Sequence, residues 1–148
     1  MKKLFKILLF FGTIFSISAW EPRSITIKNV GDRDRDWEVL IINTRKDGWL
    51  IENYDGYLSF AYYVVDESTF DEIIDLINLN KELFIENLSW RGFGSFELYI
   101  ELEGESYYRY FNERKSSLLF FEKLLKLIKE KGNYERFVRT LEMWIWAM

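Results

Sequence analysis

Phe96-Glu97-Leu98-Tyr99-Ile100-Glu101-Leu102-Glu103 alternates apolar and polar side chains without a break. Successive side chains of an extended strand point to opposite faces, so this stretch puts Phe96, Leu98, Ile100 and Leu102 on one side and Glu97, Tyr99, Glu101 and Glu103 on the other. Strands of this kind belong to antiparallel sheets that are packed on one face and solvated on the other. Gly104 supplies a turn, and Tyr107 to Phe111 returns as the neighbouring strand.

Working toward the N terminus, Ser24 to Lys28 alternates and reads as a short first strand. Trp37 to Asn43, Trp49 to Ile51 and Tyr57 to Val65 are strand-like runs separated by Asp47-Gly48 and Asp55-Gly56, dipeptides that suit tight hairpin turns. They predict a three-stranded meander over 37–65. The period then changes: Phe70, Ile73, Ile74 and Ile77 fall on one face of a helix, with Thr69 and Glu72 spaced as a capping box. Residues 83–90 read as another strand, ending at the Gly92-Phe93-Gly94 break.

Beyond the hairpin, Leu118, Phe121, Leu125 and Ile128 mark a second helix over about 116–131, closed by Gly132. Asn133 is positioned to cap a third helix carrying Val138, Leu141, Ile145 and Met148. The order strand, helix, strand, helix, helix implies an α+β domain: an antiparallel meander sheet of about six or seven strands, covered on one face by three helices. Residues 37–80 and 84–131 both run from strands to a helix but share no residue-level match.

The first 19 residues read differently. Lys2, Lys3 and Lys6 precede an apolar run that ends in Ser18-Ala19, the pattern of a secretory signal peptide cut before Trp20. That run is too short for a membrane span, which needs about 20 apolar residues. Residues 20–148 are then a single exported domain, periplasmic or secreted from a bacterial cell, with no stable membrane span after cleavage. Removing three lysines and no acids leaves 17 cations against 24 acids, a net charge of −7. Nucleic acid and anionic lipid are disfavoured partners for such a surface.

The chain has no cysteine and no histidine. Disulfides, thiol nucleophiles, Ser-His-Asp catalysis and His- or Cys-ligated zinc are excluded together. Asp32, Asp34 and Asp36 have calcium-loop spacing, but Trp37 stands where that loop needs glycine and Asn43 where it needs Glu. Arg91 to Ser95 is glycine-rich and matches neither phosphate-binding fingerprint. No cofactor, metal or catalytic residue is expected on these grounds, and a non-enzymatic domain is the leading expectation.

The aromatic share is high, at 19%. Tyr62-Tyr63 and Tyr107-Tyr108 are consecutive on strands, so one of each pair must face away from the core. Outward aromatics among acids suit recognition surfaces, although aromatics also favour strands for packing alone. The residues set in this pattern are Trp37, Trp90, Phe93, Tyr99, Tyr108, Tyr110, Glu97 and Glu101. They point first to a protein partner, basic by complementarity, as in inhibitor or immunity-type proteins. A glycan stacked on the strand aromatics is the alternative, and a carboxylate-dependent hydrolase using Glu97, Glu101 and Glu103 a more remote one. The tail, Met143 to Met148, is apolar nearly all round and should be buried or in contact with a partner.

Overall fold

A computed structural model describes residues 23–30, 38–44, 59–87 and 95–148. The leader 1–19, the Asp32 to Asp36 run, Trp49, both Asp-Gly turns and the Gly92 to Gly94 break fall outside the described residues, as do three of the candidate site residues, Trp37, Trp90 and Phe93. The order is β1 (Ser24–Asn29), β2 (Glu38–Asn43), β3 (Ser59–Val64), α1 (Glu67–Leu79), a 3-10 turn (Lys81–Leu83), β4 (Phe84–Ile85), β5 (Phe96–Leu102), β6 (Glu105–Phe111), α2 (Arg114–Lys131) and α3 (Glu135–Ala147). Among the described residues no helix is long and apolar enough to cross a membrane.

The six strands form one sheet in the order β3-β2-β1-β5-β6-β4. The chain is α+β, but the sheet is mixed and not the antiparallel meander expected. β2 and β3 lie side by side and parallel, with Val39 opposite Phe60 and Ile42 opposite Tyr63; the other four pairings are antiparallel. A parallel pair needs about a dozen or more connecting residues, and residues 44–58 meet that length. The pairing also separates the two halves of the chain, since β5 and β6 form an antiparallel hairpin; they are not copies of one unit. The hairpin turn is Glu103-Gly104, both with positive φ (44° and 86°), as a two-residue turn requires. The expected strand at 83–90 is reduced, among the described residues, to the two-residue edge strand β4.

The core lies between the sheet and the helices. Ile25 and Ile27 of β1, Leu40 and Ile42 of β2, and Phe96, Leu98 and Ile100 of β5 are buried against Phe70, Ile73 and Ile77 of α1, Phe120, Phe121, Leu124 and Ile128 of α2, and Phe137, Leu141 and Trp144 of α3. Phe96 sits at the meeting point. Its ring centroid is 5.2 Å from Phe121, 5.6 Å from Trp144 and 6.5 Å from Phe111, separations at which aromatic pairs add to the stabilisation from burial. The apolar tail is therefore divided: Trp144 is core, whereas Trp146, two residues on, is 89% exposed.

The helix ends show why two expected caps are not used. Asp66, not Thr69, caps α1: its Oδ1 accepts the Thr69 backbone N–H at 2.8 Å, and Thr69 lies inside the first turn with its hydroxyl donating to Asp66 Oδ2 at 2.9 Å. Asp-x-x-Thr is as good a start signal as Thr-x-x-Glu, and here the Asp66 carboxylate takes the Thr69 amide. The Tyr134 hydroxyl donates to Asp66 Oδ2 at 2.6 Å and accepts the Asp66 backbone N–H at 3.1 Å. Tyr134 is also the residue that caps α3, in place of Asn133, and makes no side-chain capping bond there. Its hydroxyl instead ties the start of α3 to the start of α1. Gly132 adopts φ 70° to end α2, as a helix-terminal glycine does.

These bonds stabilise the ionised form of Asp66. The Tyr134 hydroxyl, followed by the Thr69 amide and hydroxyl, draws its carboxyl down from 3.8 to about 2. A folded-state value below the unfolded one contributes stability that is fully present above pH 3.8 and fades as pH falls toward 2. In Tyr134→Phe the Asp66 carboxyl should titrate closer to 3.8, and the acid-side loss of stability should shrink. Carbon-detected NMR titration of Asp66, with urea melts across the same pH range, measures both; an unchanged titration contradicts the assignment.

Candidate functional site

Because β5 is pinned by Phe96, Leu98 and Ile100 facing the helices, its alternate residues Glu97, Tyr99 and Glu101 face the other way. The register then builds rows across that open face. One row runs Tyr62, Ile41, Thr26, Tyr99, Tyr108; a second runs Val39, Lys28, Glu97, Tyr110; a third runs Val64, Asn43, Ser24, Glu101, Ser106. Five of the eight residues singled out from the sequence, Glu97, Tyr99, Glu101, Tyr108 and Tyr110, thus occupy one contiguous patch on β5 and β6. The consecutive tyrosines divide as strand geometry requires. Tyr63 stacks on Phe137 of α3 at 4.4 Å while Tyr62 lies on the open face; Tyr107 lies on the helix side while Tyr108 is 50% exposed on the other.

The open face is not uniform. Val39 and Ile41 of β2 are each only 8% exposed, and Ser24 and Asn43 are buried as well. Among the described residues Val64 at the β3 edge is also exposed, but the accessible part is mainly the β5–β6 half. There the Tyr99 and Tyr108 rings pack against each other at 4.9 Å and 40°, holding both in place. The Ser24 hydroxyl donates to Glu101 Oε2 at 3.3 Å, which orients that carboxylate. Lys28 lies directly across from Glu97. The hairpin turn adds the exposed Glu103 beyond the end of the patch, while Glu105, opposite Leu102, falls on the other face. The result is a rigid tyrosine platform bordered by acids. Residues this well fixed lose little side-chain freedom when a partner covers them.

The three carboxylates considered for hydrolysis are not brought together. Glu97 and Glu101 are four residues apart on one strand, about 13 Å at 3.3 Å per residue. Paired glycosidase carboxyls stand about 5 to 9.5 Å apart. Glu103 leaves the strand altogether, in the left-handed turn.

Sequence reading missed a second feature, a cavity of about 280 Å³ on the helix side of β6, lined by residues of α1, the 3-10 turn, β4 and β6. Arg109, one of its lining residues, carries the only sequence signal, a cation at a position whose neighbours in the alternation, Tyr107 and Phe111, turn toward the helices. No protein-family model matches the chain, and neither a curated protein nor a solved structure is significantly similar to it.

The patch should be dispensable for folding. Tyr108→Ala should cost no more than about 1 kcal/mol, the scale of one cross-strand pair, whereas Ile100→Ala, on the same hairpin but facing inward, should cost about 2–5 kcal/mol. Urea denaturation of the two variants measures the difference; equal losses would mean that Tyr108 is part of the core.

Proposed function

We propose that the chain is an exported, non-enzymatic binding domain that docks a basic protein partner on the β5–β6 half of its open sheet face, in the manner of an inhibitor or immunity protein. The observation behind this reading is the convergence of Glu97, Tyr99, Glu101, Tyr108 and Tyr110 on one accessible face. Tyrosine supplies large contact area on a side chain with few torsions, and surrounding acids steer and orient a cationic partner. The chain as a whole carries a net charge of −4, and −7 once a leader ending at Ala19 is removed. Both values favour encounter with a basic surface.

A crosslinked pull-down of tagged protein from its native cell envelope, read by mass spectrometry, tests the proposal. One stoichiometric basic protein is expected, on a bait whose N terminus is Trp20, and Glu101→Lys should lower its recovery about tenfold. Retention of a glycan without protein would transfer the tyrosine platform to sugar binding and overturn the proposal. Equal recovery by Glu101→Lys would remove the patch from the interface, and a bait still carrying Met1 would contradict processing.

A further inference from the structure

The cavity on the helix side of β6 has a composition of its own. Ile77 from the end of α1 and Phe84 of β4, both buried, provide apolar wall, and Tyr107 adds an aromatic ring. Lys81 of the 3-10 turn, Glu86 just after β4, and Arg109 of β6 supply its charges. Arg109 is half-buried and held in place: its guanidinium carbon lies 4.9 Å from the Tyr107 ring centroid, and Nη1 donates to the Tyr108 carbonyl at 3.0 Å. That bond uses one of five guanidinium N–H groups.

Arg109 has no carboxylate partner among the described residues. Four other described cations are paired with carboxylates, and Lys81, at the same cavity, is not. Arg23 pairs with Asp71, Lys129 with Glu142, Lys131 with Glu72 and Arg139 with Glu135. Glu86 lines the same cavity as Arg109 and Lys81, yet pairs with neither. An oriented guanidinium with unused donors at the wall of a cavity is the arrangement that receives a carboxylate or phosphate in a two-pronged hydrogen bond.

We propose that this cavity binds a small organic monocarboxylate, with its carboxylate on Arg109 and its hydrocarbon body against Ile77, Phe84 and Tyr107. Among the described residues two cations and one carboxylate line the space, a balance that a single negative charge on the ligand neutralises. Inorganic phosphate brings excess charge toward Glu86 and has no apolar body to bury. The volume, about 280 Å³, lies at the small end of ligand cavities and suits one ring or a short chain. The site faces the helices, on the opposite side of the sheet from the tyrosine patch, and stands independently of it.

The test is an NMR titration of the isotope-labelled protein with phenylacetate, phenylacetamide and inorganic phosphate, following the Arg109 side-chain N–H and the Ile77 methyl signals. Phenylacetate should shift both saturably, and the neutral amide should bind about tenfold more weakly. Arg109→Met keeps the aliphatic stem over Tyr107 and should also weaken phenylacetate about tenfold. Lys81→Gln, at an exposed position, should weaken it about twofold or threefold without touching the fold, and Glu86→Gln should tighten it by a similar factor. Equal binding of the amide, equal response to phosphate, unaltered affinity in both cation variants, or no saturable shift would each overturn the proposal.

Discussion

The contact of Phe96 with Phe121 and Trp144 is the constraint on which the other features depend. A chain with no cysteine has no disulfide to hold its layers together, so the sheet and the helices stay joined through packing. Phe96 provides that junction, touching α2 through Phe121, α3 through Trp144 and its own hairpin through Phe111. Fixing Phe96 inward fixes every second residue of β5 outward. A slip of one residue would bury Glu97 and Glu101 and expose Leu98 and Ile100, which makes the register of this hairpin strongly specified. The tyrosine patch is therefore a consequence of the core and inherits its rigidity.

The two sides of the β5–β6 hairpin have different chemistry. Outward lie Glu97, Tyr99, Glu101, Tyr108 and Tyr110; toward the helices lie Tyr107 and Arg109 beside a small cavity. Among the described residues β4 pairs with only Tyr110 and Phe111 of β6, and the Tyr107 and Arg109 side chains line the cavity. Elsewhere the helix-facing side is mostly isoleucine, leucine and phenylalanine, with Tyr63 stacked on Phe137. The tie between Asp66 and Tyr134 has a complementary role at the far side of the sheet, where Tyr63 stacks on Phe137: it joins the starts of α1 and α3 just after β3 ends.

Much of this was legible in the residues. The strict alternation from Phe96 to Leu102 identified a half-buried antiparallel strand, and the helical spacing of Phe70, Ile73 and Ile77 located α1. Gly132 marked the end of α2. The parallel pairing of β2 and β3 was not read, because the Asp-Gly dipeptides suggested hairpins. The contrary sign was available in Val39-Leu40-Ile41-Ile42, an unbroken apolar run of the kind found in strands buried on both faces. Thr69 with Glu72 reads as a capping box, although aspartate ranks at least as high as threonine at a helix start; the Tyr134 contact to the Asp66 carboxylate, 68 residues away, has no local sign. Glu97, Tyr99, Glu101, Tyr108 and Tyr110 were identified singly by alternation and exposure; their assembly into one patch needed the strand register. Arg109 was overlooked because a cation on a mostly aromatic strand reads as an ordinary exposed residue until its face is known.

The most direct measurement places a photo-crosslinking phenylalanine analogue at position 108, or at position 146 as a control that is also highly exposed, and irradiates the protein in its native envelope. A docking surface on the β5–β6 hairpin predicts a discrete protein adduct from position 108 and none from 146. An adduct from 146 alone, or none from 108, would contradict the account and move the interface away from the tyrosine patch.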